Sequence, residues 1–169
     1  AHSHMTNTRF TWRTFVYNWN KRFIKNYATH LFACSQSAGE WLFGKSGVQD
    51  RRFRVVNNGI DISRFTFNPD TRNDIRRALN IADSFLIGHV GRFTAPKNHS
   101  FILDIFCQVK HLEPTAKLVL VGDGPLRKKM IQKCHRLGIS DAVIFTGVQR
   151  NVEDYYQAMD VFLMPSLYE

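Results

Sequence analysis

Over the second half of the chain, short apolar runs alternate with stretches whose apolar residues return every three or four positions. Phe85–Val90 predicts a buried strand, the segment around Ser100–His111 a helix, and Lys117–Val121 a strand. After Gly122-Asp123-Gly124-Pro125 the pattern predicts a helix to about Leu137, with Pro125 in its first turn and Gly138 at its C-cap. Ala142–Thr146 predicts a strand, Val152–Met159 a helix, and Val161–Met164 a last strand stopped by Pro165. Such alternation with short links implies parallel strands joined by right-handed crossovers. Strands apolar throughout imply a sheet covered on both faces. The expected fold is therefore α/β, a Rossmann-like doubly wound parallel sheet, whose ligands bind beyond the carboxyl ends of the strands.

The first half is less regular. Trp12, Phe15, Val16, Trp19 and Phe23 recur at helical spacing and predict an amphipathic helix over 12–25, with Arg13, Lys21, Arg22 and Lys25 on its polar side. Thr29–Cys34 predicts a strand. Ser37 and Glu40 read as a capping box opening a short helix through Trp41–Phe43, ended by Gly44 and Gly47. Arg54–Asn57 predicts another strand, and Asn58-Gly59 a turn. Residues 61–69 read as a connector packed on the surface through Phe65 and Phe67, leading into a helix over Asp70–Leu79. The organisation expected is a segment over 1–60, a connector with a helix over 61–84, and a sheet domain over 85–169. Both ends read as cut from a longer chain, with Ala1-His2-Ser3-His4 taken as native sequence rather than a tag remnant.

The 169 residues include 44% hydrophobic positions, enough for a core. No apolar run reaches the roughly 18–20 residues of a spanning helix, and no secretory leader is visible. The three cysteines, Cys34, Cys107 and Cys134, are too few and too scattered for a disulfide scaffold, and fit a reducing cytoplasm. Residues 1–54 carry nine Lys/Arg against two Asp/Glu, whereas 55–169 carry fourteen against twelve. The net +9 is thus concentrated at the front, where it could meet anionic lipid, nucleic acid or a phosphorylated substrate. With aromatics on the apolar side of the basic helix and no recognition motif, a nucleic-acid-binding module is the lesser reading. Anionic-lipid docking through the basic side is an alternative to plain core packing.

Three loops fall at the carboxyl edge of the expected sheet. In Gly91-Arg92-Phe93-Thr94-Ala95-Pro96-Lys97-Asn98, a glycine turn leads into a helix start between two cations, an arrangement suited to a phosphate. Gly122-Asp123-Gly124-Pro125 lacks both the dinucleotide and the Walker fingerprint and reads as turn-making. Pro165-Ser166-Leu167-Tyr168-Glu169 places a carboxylate at the same edge. His2 and His4 lack a nearby partner ligand, so no metal site is expected.

The strings YATHLFACSQSAGEWLFG (27–44), VNNGIDISRF (56–65), IGHVGRFTAPKNH (87–99), LVLVGDGPLR (118–127) and FTGVQRNVEDYYQAMDVFLMPSLYE (145–169), in this order, resemble retaining GT-B glycosyltransferases of the bacterial E-x7-E family. The resemblance implies a partial GT-B fold, with residues 1–60 as the tail of the acceptor-side domain and 85–169 as the first half of the donor-binding domain. It implies that Gly91, Arg92 and Lys97 hold the diphosphate of a nucleotide-sugar donor, that Val148 lines the nucleobase pocket, and that Glu169 meets the donor sugar. His2 resembles the cleft histidine near the reacting centre, and Asn58-Gly59-Ile60-Asp61 a segment near the domain junction. The implied activity is sugar transfer with retention to a glycan or lipid-linked acceptor. It needs no metal or other cofactor and takes place in the cytoplasm or at the inner membrane face. A GT-B sugar-nucleotide epimerase shares the donor fold and is the alternative. Alone, the 169-residue chain is expected to show little or no turnover when assayed beside a longer parent.

Overall fold

The computed structural model describes residues 23, 26–81 and 83–167. The helix expected over 12–25, apart from Phe23, lies outside these residues, as do His2, His4 and Glu169. The chain divides after Ile60 into two units.

In the first unit, strand β1 (Leu31–Ala33) pairs in parallel with β2 (Phe53–Val55), Leu31 opposite Phe53. Between them lie helices α1 (Gln36–Phe43) and α2 (Lys45–Val48). Leu31, Ala33, Ala38, Leu42, Phe43 and Phe53 form the core. The helix cap differs from the expectation. Ser35, extended at φ −154°, accepts from the Ala38 amide at 3.1 Å, so Ser37 lies inside the helix and no Glu40 capping box forms. Gly44 ends α1 with φ +76°, but Gly47 sits within α2 rather than closing the helix. Residues 56–60 carry no regular structure.

The second unit opens with a 3-10 turn, Ile62–Phe65, capped by Asp61. Its aromatic residues do not plug the surface as expected. Phe67 is 65% exposed, and Phe65 only leans on Tyr156 at 6.0 Å. Polar contacts hold this connector instead: the Gln157 amide donates to the Thr66 carbonyl at 3.0 Å and accepts from the Asn68 amide at 3.1 Å, and Arg64 pairs with Glu153. Helix α3 (Pro69–Ala78) starts where Asn68 caps the Asp70 and Thr71 amides, with proline in the first turn. From α3, Arg72 and Arg76 both reach Asp160, whose other contact is the Leu86 amide at 2.7 Å. Burial opposes the Asp160 charge, but that amide and the two guanidiniums hold its pKa below the ordinary carboxylate value.

Strands β3 (Leu86–Val90), β4 (Lys117–Val121), β5 (Val143–Gly147) and β6 (Val161–Phe162) form one all-parallel sheet in the order β5-β4-β3-β6. Alternate residues serve opposite faces. Ile87, Leu118, Leu120 and Val143 pack against Ile102, Phe106, Met130 and Cys134 of helices α4 (His99–Leu112) and α5 (Arg127–Leu137). Leu86, Val119 and Val121 pack on the other side with Ile75 of α3 and Ala158 of α6 (Val152–Ala158). The sheet is therefore doubly wound, as its apolar strands imply. Inside α5, burial pushes the Cys134 thiol up to about 11, consistent with a core cysteine. Gly138 caps α5 at φ +69°, whereas Pro125 precedes the helix, which starts only at Arg127. Strand β6 is shorter than expected and lies at the sheet edge, with Val161 and Phe162 each more than a third exposed. After β5 the chain crosses back to pair with β3, which places the topological switch between β3 and β6. Among the described residues no helix is long and apolar enough to cross a membrane.

Candidate functional site

The loops leaving β3, β4 and β5 meet at the carboxyl edge of the sheet and are laced together through their backbones. The Gly91 amide donates to the Val121 carbonyl at 2.9 Å, the Phe93 amide to Asp123 at 3.0 Å, the Leu126 amide to Phe93 at 3.1 Å, and the Gly122 amide to Gly147 at 2.8 Å. These contacts give Gly122 and Gly124 a role beyond the turn-making expected of them. A Cβ at Gly122 would stand 2.2 Å from the Gly91 carbonyl oxygen, and one at Gly124 2.7 Å from that of Phe93. Both glycines also have positive φ, +131° and +158°. They are the places where the β4 loop lies flush against the β3 loop that carries Arg92.

Phe93, midway along that loop, is fully buried. Burying such a ring contributes about 1.5–3 kcal/mol, enough to pin the loop to the core while Arg92 beside it stays exposed. Phe93 stacks on His99, ring centroids 4.0 Å apart, and His99 meets His89 edge-on at 4.8 Å. His89 lies under Gly91, where a Cβ would come within 2.7 Å of its Nε2. Its Nδ1 is 2.7 Å from the Leu163 carbonyl, which can only accept, so Nδ1 carries the proton. The segment after β6 joins the same assembly, its Leu167 amide donating to the Pro96 carbonyl at 2.8 Å.

His99 gives this cluster an acid sensitivity. It is 2% exposed, and neither ring nitrogen has a hydrogen-bond partner among the described residues. Burial, with the nearby His89 and Lys97 adding to it, pushes its pKa from 6.5 down to about 4. The unfolded ring gains its proton near pH 6.5, while the folded ring resists until about pH 4. Stability present above pH 6.5 therefore falls as pH drops through that window, by about 3 kcal/mol in all. His99→Phe keeps the stacking ring and removes the titration. In melting curves between pH 6.5 and 4 the variant is expected to lose less stability than the wild type; parallel curves would contradict this origin.

Between the three loops lies a pocket of about 520 Å3, lined by Gly91, Arg92, Gly122, Val148 and Gln149 among others. Three of the residues singled out in the sequence, Gly91, Arg92 and Val148, thus share one pocket. Lys97 is half-buried at the end of a 3-10 turn, Ala95–Lys97, in the Arg92 loop and does not line that pocket. Sequence reasoning passed over His89, His99 and Gln149. The signals for them were a histidine inside the apolar strand Phe85–Val90, another at a helix start, and a polar residue two positions past the glycine that ends β5.

The profile of the family described as Glycosyl transferases group 1 matches residues 84–169, and the chain belongs to that family. It is 36% identical to EpsF of Bacillus subtilis (strain 168) over all of this chain and 45% of EpsF. It is 37% identical to the Vi polysaccharide biosynthesis protein VipC/TviE of Salmonella typhi over 72% of this chain and 22% of that protein. Anabaena Alr3699/HepE, solved in complex with UDP and glucose, superposes with a TM-score of 0.80 at 24% identity over 98% of this chain and 45% of that one, which establishes likeness of fold. The chain spans less than half the length of these relatives.

Proposed function

We propose that this chain supplies the donor-binding part of an enzyme that transfers a sugar from a nucleotide-diphosphate sugar, with retention, to a glycan or lipid-linked acceptor in polysaccharide synthesis. The observation that carries the reading is the pocket at the carboxyl edge of the sheet, where Gly91, Arg92 and Val148 come together. Gly91 and Gly122 line the pocket beside Arg92, whose guanidinium can offer a planar fork to a diphosphate. Val148, 76% exposed, offers an apolar surface to a base. Lys97, from the same loop, adds a second positive charge for the diphosphate.

In the transfer, the bond from the sugar's anomeric carbon to the β-phosphate oxygen breaks, and its electron pair passes to the phosphate. The acceptor oxygen bonds to that carbon, and its proton leaves with the phosphate. Arg92 and Lys97 stabilise the charge growing on the leaving diphosphate, an electrostatic task that requires no metal. Glu169 and His2, both outside the described residues, are proposed from the family resemblance alone, Glu169 as the group for the donor sugar and His2 as the histidine of the reacting centre. The reaction takes place on the cytoplasmic side. UDP-, GDP- and ADP-sugars, screened by thermal shift, test this reading. A matching donor at a hundred times its Kd stabilises by about 2.7 kcal/mol, while the free nucleoside, lacking the diphosphate, leaves the melting temperature nearly unmoved. Equal shifts from donor and nucleoside, or none from any donor, would overturn it.

A further inference from the structure

We infer that Gln149 reads the edge of the donor's base and favours one whose ring nitrogen carries a hydrogen, as in uracil and guanine, over one that presents a lone pair there, as in adenine and cytosine. This rests on the reading of the pocket as the donor-nucleotide site. The pocket has apolar walls in Val90, Val121, Val148 and Val152, suited to the faces of a flat ring. Such walls grip any base alike, so discrimination has to come from polar groups.

Three polar side chains line the pocket: Arg92, Asp123 and Gln149. Arg92 stands at the carboxyl end of β3, where a diphosphate is expected. Asp123 has one carboxylate oxygen engaged by the Gly124 amide at 2.7 Å, and its negative charge ill suits a nucleotide's phosphates. Gln149 is neutral and immediately follows Val148, on the loop that departs from β5 through Gly147, itself at φ +73°.

The sense of the Gln149 amide is fixed by the fold. Its Nε2 donates to the Thr146 carbonyl at 2.9 Å. A flipped amide would set two carbonyl oxygens against each other, so Nε2 is the atom committed to the loop. Oε1 accepts no hydrogen bond from any described side chain or amide, and remains an acceptor of fixed position on a residue of the pocket wall. Facing the middle of a base's pairing edge, it gains a hydrogen bond from the N3–H of uracil or the N1–H of guanine. Against adenine N1 or cytosine N3 it meets a lone pair, which leaves two acceptors opposed and desolvated.

The experiment is calorimetric titration of the 169-residue chain with UDP, GDP, ADP and CDP, for the wild type, Gln149→Leu and Gln149→Met. The wild type is expected to bind UDP or GDP at least about tenfold more tightly than ADP and CDP, the scale of one well-placed polar contact. Both variants are expected to bring the four affinities within about threefold, mainly by weakening the preferred nucleotide. Near-wild-type melting temperatures establish that they fold. A wild type preferring ADP or CDP, or variants that keep the wild-type ratios, would overturn the inference while leaving the donor-site reading standing. Binding of none of the four nucleotides would overturn both.

Discussion

Arg92→Ala is expected to weaken donor-diphosphate binding by at least about a hundredfold. The guanidinium fork can give two charge-assisted hydrogen bonds to phosphate oxygens, each contributing about 1.5–3 kcal/mol, and alanine removes both. Arg92 is exposed, so its loss leaves the core intact and the melting temperature close to that of the wild type. Arg92→Lys keeps the charge but not the fork, and should fall between the two, about tenfold weaker than wild type. Arg136→Ala, on the exposed side of α5, controls for the loss of one positive charge and should leave binding unchanged. Calorimetry with the best donor nucleotide reads all four proteins. Equal affinities for Arg92→Ala and Arg136→Ala would remove Arg92 from the site.

The largest effect on stability is expected at Gly122. A methyl group there stands 2.2 Å from the Gly91 carbonyl oxygen, a backbone atom that no rotamer change can move aside. The residue also sits at φ +131°, where an L-side chain is strained. Gly122→Ala should therefore cost about 3–5 kcal/mol, seen in urea unfolding as a lowered midpoint, and should displace the Arg92 loop. Gly138→Ala provides the contrast. Gly138 also has positive φ, +69°, but nothing lies within 4 Å of its Cβ position, so only the backbone term remains, about 1 kcal/mol. Two variants of equal cost would mean that the β3 and β4 loops are not packed as closely as described.

The comparison of these glycines shows which parts of the structure were legible in the sequence. Gly138 was readable as a C-cap because a helix end is a local event, announced by the apolar period that stops at Leu137. Lys117–Val121 was readable as a strand, to the residue, because five consecutive positions suit a strand buried on both faces. Gly122 and Gly124 read as turn residues because the atoms that exclude their side chains belong to Gly91 and Phe93, some thirty residues earlier. Phe67 misled for the same reason: an aromatic in a connector suggests a plug, but Gln157 and Glu153 fasten that segment from α6 and leave the ring in solvent. The cap of α1 failed over a shorter range. Ser35 and Ser37 have the same chemistry, and the extended backbone of Ser35 decides between them.

The candidate site divides in the same way. The cations at 92 and 97 and the apolar residue at 148 stand out in strings that resemble a family, and three of the singled-out positions, 91, 92 and 148, share the pocket. The stack of Phe93, His99 and His89 beneath them, and the anchored amide of Gln149, depend on rings and carbonyls brought together by the fold. They appear in the sequence only as isolated histidines and a glutamine.

The most direct test is a crystal structure of this chain with UDP. The account predicts the base against Val148 and the diphosphate within hydrogen-bonding distance of the Arg92 guanidinium, with Lys97 turned toward the same phosphates. A diphosphate held elsewhere, with Arg92 directed into solvent, would contradict it.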